Sequence, residues 1–173
     1  MDSLPDWMRR DHPAYDPNRI GAISQAQVMA ALVEAGKIVL IPTVNVKAYD
    51  LVIEDEGRFL RVQCKTGRLF RGAVCFRPHR LRAARRETGW VRRTKAYNGD
   101  VDCFGVYCPE TRATYLVPIG DVTGKRACTL RLTPAKNQQS RRIRWARTYE
   151  ILPAVADAHE ELTTPTGLIN KGP

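Results

Sequence analysis

The sequence has no long hydrophobic run, and its apolar stretches fall well short of the roughly 18 residues that a membrane-spanning helix needs. Its first residues also lack the apolar segment of a secretory signal peptide. With 43% hydrophobic and 27% charged residues among 173, the composition is typical of a globular domain. We therefore expect an intracellular, cytoplasmic protein with no membrane partner.

Several common catalytic and metal-binding signatures are also missing. No glycine-rich phosphate loop is present, which argues against nucleotide hydrolysis of the P-loop type. The three histidines fall in the N-terminal arm (His12), at the end of a basic strand (His79) and in the C-terminal tail (His159). This placement does not favour a Ser–His–Asp triad. The five cysteines are odd in number and scattered, which argues against a disulfide framework, and Cys103 and Cys108 have no second pair of ligands to complete a zinc site.

Acidic residues are almost missing from two stretches of the chain. Residues 66–98 contain ten Arg or Lys and the single acid Glu87, and residues 122–149 contain eight Arg or Lys and no acid. Clustered arginines suit a polyanion, because the planar guanidinium matches a phosphate group and displaces its counterions. We therefore favour a nucleic acid as the partner, with a solvated basic surface or an acidic protein partner as the alternative. The aromatic residues are few and not interleaved as stacking platforms are, which favours duplex DNA over single strands.

The order of elements predicts an α+β fold. Residues 1–19 are rich in proline and are predicted to form an irregular arm. The segment ISQAQVMAALVEAG predicts a helix that ends at Gly36, with Gln25 on the same inward stripe as Val28. A β-meander is predicted to follow, from the seven runs KIVLIPT, YDLVIED, RFLRVQCKT, GAVCFRP, DCFGVYC, ATYLVPI and CTLRLT.

Two basic segments and the C-terminus complete this layout. The segment HRLRAARRETGWVRRTKAYNGD is expected to be partly helical or flexible. The segment NQQSRRIRWARTYE is predicted to form a last helix, with Trp145 in the core. Residues 151–173 are predicted to form a flexible tail.

The most informative stretch is YDLVIEDEGRFLRVQCKTGR, which alternates like a hairpin around the turn EDEG. Alternation places Leu51 and Ile53 on one face and Asp50 on the other. In the second strand Gln63 and Lys65 share a face. If the strands pair around EDEG, an acid, an amide and an amine converge.

Such a convergence has a chemical use in phosphodiester hydrolysis. The Asp50 carboxylate, the Gln63 amide oxygen and the Cys64 carbonyl are hard oxygen ligands of the kind that Mg²⁺ prefers, and Mn²⁺ could replace it. Lys65 would orient the attacking water or stabilise charge on the phosphorus. The alternative from spacing alone is a salt bridge between Asp50 and Lys65 on a solvated sheet face.

The same residues resemble the PD-(D/E)XK nuclease superfamily, which has an acid at the head of one strand and an acid or amide, any residue and lysine in the next. Together with VDCFGVYCPETRATYLVPIGDV, LRLTPAKNQQ and IRWA, the stretch is similar to the group I intron-associated homing endonucleases of that superfamily, which carry Gln in place of the second acid. The resemblance implies a restriction-endonuclease-like core over residues 20–150, with a mixed β-sheet flanked by helices.

The resemblance also implies a function and a set of site residues. The chain is expected to be a Mg²⁺-dependent endonuclease that cuts duplex DNA and leaves a 5′-phosphate and a 3′-hydroxyl. Asp50, Gln63 and Lys65 match the metal-binding aspartate, the amide and the lysine. Gln25 stands where the family tends to have a helix glutamate, so the site has one carboxylate. A slow nuclease and a DNA-binding protein that has lost cleavage therefore remain alternatives, as does an enzyme like the Holliday-junction resolvases.

The DNA contacts are predicted to come from the two basic stretches, and the strand AVCFRPHR is either a groove-reading ribbon or a core strand with solvated arginines. Because cutting both strands of a duplex needs two sites, we expect a homodimer or homotetramer. The residues predicted to bind DNA are Arg68, Arg71, Arg77, Arg80, Arg82, Arg85, Arg86, Arg92, Arg93, Arg141 and Arg142.

Overall fold

The computed structural model describes residues 8–44, 47–86, 89–97, 99–122, 124, 126–134 and 143–154, and it describes the backbone alone for residues 81–86 and 89–93. Within these residues the helix α1 is followed by the strands β1 to β10. The helix spans Pro17–Glu34. The strands are β1 Ile38–Leu40, β2 Leu51–Asp55, β3 Arg58–Thr66, β4 Arg68–Phe70, β5 Ala73–Phe76, β6 His79–Arg86, β7 Gly89–Ala96, β8 Cys103–Cys108, β9 Ala113–Pro118 and β10 Cys128–Arg131.

Helix α1 begins earlier than the sequence predicted. Asp16 caps its N-terminus, because the Asp16 carboxylate accepts hydrogen bonds from the backbone N–H groups of Asn18 and Arg19 at 2.9 and 3.2 Å. Pro17 occupies the first helical position, where its missing N–H costs nothing. The predicted irregular arm over residues 1–19 is therefore too long by the first turn of the helix.

The buried face of α1 also differs from the prediction. It consists of Ile20, Ser24, Val28 and Leu32, one residue per turn. Gln25 is only half-buried, so the inward polar residue of this helix is Ser24 rather than Gln25. The Ser24 hydroxyl lies 2.6 Å from the Thr66 hydroxyl and thereby ties the helix to the end of β3.

The predicted hairpin is confirmed as β2 and β3. Glu56 and Gly57 form its two-residue turn with positive φ values of 48° and 75°, which is the conformation that a tight antiparallel hairpin requires. The register pairs Leu51 with Val62, which places Asp50 opposite Gln63 at the open end. The Asp50 backbone N–H donates to the Val62 carbonyl at 2.8 Å and continues the ladder to that point.

The central sheet has five strands in the order β1-β2-β3-β8-β9. Strands β3 and β8 run parallel and the other neighbours run antiparallel, so the sheet is mixed, as predicted for an α+β restriction-endonuclease-like core. The expected meander is wrong in two places, because residues 67–102 cross over between β3 and β8, and β10 pairs with β5 instead of with β9. Parallel neighbours need such a long connection.

That crossover contributes the strands β4 to β7 to two smaller β units. Strand β5 pairs with β4 and with β10 in a three-stranded sheet, and β6 pairs with β7 over eight residues of antiparallel ribbon. The expectation that the segment from His79 onward is partly helical is therefore wrong. Each strand of the ribbon supplies the other's backbone hydrogen-bond partners, and this pairing overrides the helix propensity of its Ala, Arg and Leu residues.

The central sheet buries both of its faces. One face packs against α1 through residues that include Val28, Leu51 and Val62. The helix approaches closely at Gly105 of β8, where an added Cβ would lie 2.5 Å from a Val28 methyl group. The opposite face packs against the three-stranded sheet through residues that include Val74 and Phe104. By alternation, Gln63 and Lys65 point to this second face.

The predicted last helix is wrong over the residues that the structure describes. Only Ala146–Thr148 form a short 3₁₀ helix, and Trp145 is half-buried in an isolated bridge with Arg131. The chain then lies along β9, where the Leu116 N–H donates to the Tyr149 carbonyl at 2.7 Å and the Ile151 N–H to the Thr114 carbonyl at 2.9 Å. The described part of the chain contains no helix long and apolar enough to cross a membrane.

Candidate active site

The site begins with a side-chain pair at the open end of the β2–β3 hairpin. Asp50 directly precedes β2, and the β2–β3 register places it opposite Gln63, so their side chains meet and the Gln63 amide Nε2 donates a hydrogen bond to Asp50 Oδ2. The same nitrogen donates to the Cys64 carbonyl at 3.3 Å. The sequence-predicted meeting of Asp50 and Gln63 is thus what the hairpin register produces.

The Asp50 carboxylate is held by the backbone as well. Its Oδ2 accepts a hydrogen bond from the Cys64 N–H at 2.8 Å. Burial raises the pKa of Asp50 above its usual value, since a carboxylate loses hydration there, while the bonds from Cys64 and Gln63 and the charge of Lys65 act in the opposite direction. A cation bound at this carboxylate would relieve that desolvation cost.

The donor set fits a hard divalent cation. The Asp50 carboxylate and the Cys64 carbonyl both accept from one amide nitrogen, so two oxygens converge on one partially positive group. Rotation of the Gln63 amide would present its oxygen to the same neighbourhood. Among the described residues no group of three or more His, Cys, Asp or Glu side chains is placed to hold a metal. A cation here would thus depend on a single carboxylate, two uncharged protein oxygens, and water or substrate oxygens.

Lys65, two residues beyond Gln63 on β3, makes its polar contacts with Tyr97 and His79. Its Nζ donates to the Tyr97 hydroxyl at 2.8 Å and approaches the His79 carbonyl at 3.5 Å. No salt bridge joins Lys65 to Asp50 in the described part of the chain, which argues against the simple ion-pair alternative. Burial lowers the pKa of Lys65 to about 8, and the nearby Asp50 carboxylate opposes this shift.

Gln25 is not joined to this group of residues. It belongs to α1, which packs on the face of the sheet opposite to Gln63 and Lys65. Within the described residues, no hydrogen bond links Gln25 to Asp50, Gln63 or Lys65. The catalytic role predicted for Gln25 therefore stays a prediction without a contact to support it.

A basic cleft of about 510 Å³ adjoins Lys65. Three of the arginines predicted to bind DNA, Arg68, Arg77 and Arg80, line it together with Arg10. Arg80 is held by Asp100, with its Nη2 at 2.7 Å from Oδ2, and Arg68 Nη1 lies 3.7 Å from Glu110 Oε1. Nonetheless Arg68 Nη1 and Arg80 Nε are buried atoms without a hydrogen-bond partner among the described residues. Donors of this kind gain free energy when a ligand oxygen satisfies them.

The remaining arginines predicted to bind DNA lie elsewhere. Arg71 is in the β4–β5 turn, where its guanidinium lies 5.1 Å from the centre of the Phe70 ring and outside the lining of the Lys65 cleft. The ribbon backbone carries Arg82, Arg85, Arg86, Arg92 and Arg93. Their side chains, like the whole of Arg141 and Arg142, lie outside the described residues.

Sequence reasoning missed two residues of this region. Tyr97 follows β7 directly and contacts Lys65 across 32 positions of sequence, a separation that no local pattern predicts. Arg10 belongs to the N-terminal segment, which we did not expect to contribute, yet it lines the cleft beside Lys65. Only the general excess of basic residues could have drawn attention to Arg10.

The fold and this site define a class of enzyme. The profile of the PD-(D/E)XK endonuclease family matches residues 15–152, and the chain belongs to that family. It is therefore an endonuclease, as its sequence predicted. A search of the curated proteins gives no significant match.

A solved structure adds a particular neighbour. The bacterial homing endonuclease I-Ssp6803I is similar to this chain at a TM-score of 0.60 and 25% sequence identity, over 78% of this chain and 88% of the other. The restriction-endonuclease-like fold that was expected from the resemblance is thereby confirmed.

Proposed function

We propose that the protein is a Mg²⁺-dependent endonuclease that binds duplex DNA and hydrolyses its phosphodiester bonds in the manner of a homing endonuclease. The observation that carries the proposal is the convergence of the Asp50 carboxylate and the Cys64 carbonyl on the Gln63 amide, with Lys65 two residues further along β3. The family and the structural neighbour support it.

The proposed roles follow from the chemistry of each group. Asp50, Gln63 and the Cys64 carbonyl would hold Mg²⁺ or Mn²⁺, which when bound supplies Lewis-acid polarisation of the phosphate and acidifies water. Lys65 would donate a hydrogen bond to the attacking water or to a phosphate oxygen, where it stabilises developing negative charge. Water adds to phosphorus, the bond to the 3′-oxygen breaks, and that oxygen takes up a proton, which leaves a 5′-phosphate and a 3′-hydroxyl.

The basic cleft is the proposed place of the DNA backbone next to the cut. Arg68, Arg77 and Arg80 line it beside Lys65, so a phosphate held there would lie near the catalytic lysine. The guanidinium groups of these arginines would donate charge-assisted hydrogen bonds to the phosphate oxygens. The predicted contacts from Arg71, from the β6–β7 ribbon and from Arg141 and Arg142 would extend along the duplex.

Assembly and location complete the proposal. The described part of the chain forms one such site, so cleavage of both DNA strands would require two chains, and we propose a homodimer or homotetramer that acts on DNA inside the cell. Sedimentation with and without duplex DNA would measure the number of chains. A strict monomer that makes only single-strand cuts would contradict this part of the proposal.

Nicking of a supercoiled plasmid tests the enzymatic part. The wild type is expected to cut in Mg²⁺ or Mn²⁺, and Lys65→Ala is expected to cut at least about 100-fold more slowly, equivalent to about 2.7 kcal/mol of transition-state stabilisation. Duplex binding is measured in parallel by fluorescence anisotropy in Ca²⁺. If the wild type and Lys65→Ala bind the duplex equally well and the wild type cuts no faster than Lys65→Ala, the result would support a DNA-binding protein that has lost cleavage.

The choice of substrate distinguishes the two nuclease types. A homing-endonuclease-like enzyme cuts linear duplex at a particular sequence, whereas a resolvase-like enzyme prefers branched DNA whatever its sequence. We expect cleavage of a long linear duplex library at discrete sites. Faster cutting of a four-way junction than of any linear duplex would favour the structure-specific alternative.

A further inference from the structure

Tyr97 is the polar group closest to the amine of Lys65. It follows β7 directly, and the residue is 3% exposed. The Tyr97 hydroxyl accepts a hydrogen bond from Lys65 Nζ at 2.8 Å, and the same Nζ lies 4.7 Å from the centre of the Tyr97 ring. The ammonium therefore touches both the hydroxyl and the aromatic surface of one residue.

Little else holds the Lys65 amine. Its other described polar contact is the His79 carbonyl at 3.5 Å, and none reaches Asp50. A lysine side chain has four rotatable carbon–carbon bonds, so a free amine would populate many positions and spend little time near a scissile phosphate. The two groups that restrict it, Tyr97 and His79, both lie at the base of the β6–β7 ribbon, where His79 pairs with Ala96.

The Tyr97 ring is itself fixed by the core. It packs edge-on against Phe104, with ring centres 5.5 Å apart at an angle of 80°. The Arg80 guanidinium lies 5.5 Å from the ring centre and is anchored by Asp100. These neighbours restrict the ring, so the hydroxyl presents an acceptor to Lys65 from a defined direction.

We propose that Tyr97 is a positioning residue of the nuclease site, which holds the Lys65 amine at the edge of the basic cleft so that its remaining N–H groups face the substrate. The inference rests on the proposed function, since it needs a catalytic Lys65. Tyr97 acts only through Lys65 and makes no contact with the reacting atoms.

Removal of one oxygen atom tests this role. Tyr97→Phe keeps the ring and its packing and deletes the hydroxyl that Lys65 contacts. In single-turnover cleavage with saturating enzyme, we expect the rate constant to fall about tenfold while the dissociation constant for duplex DNA in Ca²⁺ changes less than twofold. Tyr149→Phe is the matched control, because it deletes a tyrosine hydroxyl that bonds Asp121 at 2.9 Å, outside the Lys65 site.

Comparing the single-turnover rate constant with the dissociation constant and the melting temperature distinguishes a positioning role of Tyr97 from a purely structural one. If Tyr97 were merely structural, Tyr97→Phe would lower the melting temperature and the fraction of active protein, as Tyr149→Phe does, but its rate constant at saturating enzyme would match that of the wild type. The effect should also shrink in a Lys65→Arg background, where the amine to be positioned is gone. If the wild type cuts and Tyr97→Phe cuts equally fast, the positioning role is wrong and the proposed function stands. If the wild type cuts no faster than Lys65→Ala, both are wrong.

Discussion

Asp50 and Gln63 face each other across two antiparallel strands, and the Gln63 amide donates to the Asp50 carboxylate and to the neighbouring Cys64 carbonyl. An amide hydrogen-bond donor thus faces the two oxygens that we assign to a divalent cation. The hairpin register alone produces this meeting, since the turn at Glu56 and Gly57 fixes which residues are opposite. The proposed site therefore depends on one carboxylate supported by neutral oxygens.

Gln63→Glu is predicted to strengthen metal binding. A second carboxylate beside Asp50 adds negative charge at the proposed cation, and the number of charged ligands tunes affinity for hard cations. We expect the Mg²⁺ concentration for half-maximal cleavage to fall roughly tenfold, equivalent to about 1.4 kcal/mol. Without metal the two carboxylates repel, so the melting temperature in EDTA should fall and recover when Mg²⁺ is added.

Gln27→Glu provides the matched control for that variant. Gln27 is exposed on α1, so the same change of charge there should leave the Mg²⁺ requirement and the EDTA melting temperature as in the wild type. Equal Mg²⁺ responses in Gln63→Glu and Gln27→Glu would show that Gln63 does not face a cation.

Lys65→Met is predicted to stabilise the metal-free, DNA-free protein near pH 7. Burial lowers the pKa of Lys65 from 10.5 to about 8. Below pH 8 the amine is charged in both the folded and the unfolded protein, so the full cost of burying the charge lowers the free energy of unfolding there. The gain should be about 1–2 kcal/mol, because loss of the Tyr97 hydrogen bond offsets part of the desolvation cost. As pH rises from about 8 towards 10.5, the folded protein gives up this proton first, and the advantage of Met should fade.

Urea unfolding at pH 7 and pH 10 measures the effect on stability. Lys37→Met is the control, because Lys37 is a half-exposed lysine whose Nζ pairs with Asp55. Loss of that pair should cost at most about 1 kcal/mol at pH 7. Similar destabilisation by both substitutions at pH 7 would mean that Lys65 carries no desolvation cost.

Gly105→Ala is predicted to weaken the packing of α1 on the sheet. The added Cβ would lie 2.5 Å from a Val28 methyl and 3.2 Å from a Val62 methyl, so the helix or the strand must shift. We expect a loss of about 2 kcal/mol in the free energy of unfolding, as is common for overpacked cores. Gly120→Ala is the control, since nothing lies within 4 Å of its added Cβ. Chemical denaturation that gives equal midpoints for both variants would contradict this close approach.

Arg77→Ala is predicted to weaken binding to every duplex by a similar factor, whatever its sequence. Arg77 is exposed at the lip of the Lys65 cleft, so its loss should remove one phosphate contact and reduce the slope of log K against log salt concentration by about 1. The control is Arg58→Ala, an exposed arginine at the far end of β3, roughly 23 Å along the strand from Lys65. Anisotropy titrations over a range of salt should show no change of slope for Arg58→Ala, and equal slopes for both variants would place the DNA elsewhere.

The sequence predicts those elements of the fold that depend on the periodicity and turn residues of a short segment. The α1 stop at Gly36, the hairpin and the seven strand runs follow from periodicity and turn residues, and the hairpin in turn brings Asp50 to Gln63. The sequence of the β6–β7 ribbon predicts a partly helical segment, because its Arg and Ala residues favour helix, and only pairing between its strands makes it β structure.

The rest of the site depends on contacts between distant segments. Tyr97 reaches Lys65 only because residues 67–102 cross over to a strand that runs parallel to β3. Gln25 was assigned to the inward stripe from its three-residue spacing to Val28, but the four-residue spacing of Ile20, Ser24 and Val28 defines the buried face. Both three- and four-residue spacings lie on one side of a helix, so sequence alone did not separate them.

The Mg²⁺ dependence of plasmid nicking by wild type and Asp50→Asn, measured side by side at saturating enzyme, tests the central claim most directly. Asn keeps the size of the side chain and an oxygen that can accept from the Cys64 N–H, but it removes the only charge proposed to hold the cation. We predict that the wild type cuts only with Mg²⁺ or Mn²⁺ and that Asp50→Asn loses at least about 100-fold in rate while duplex binding stays within about twofold. Equal, metal-independent rates for the two proteins would contradict the account.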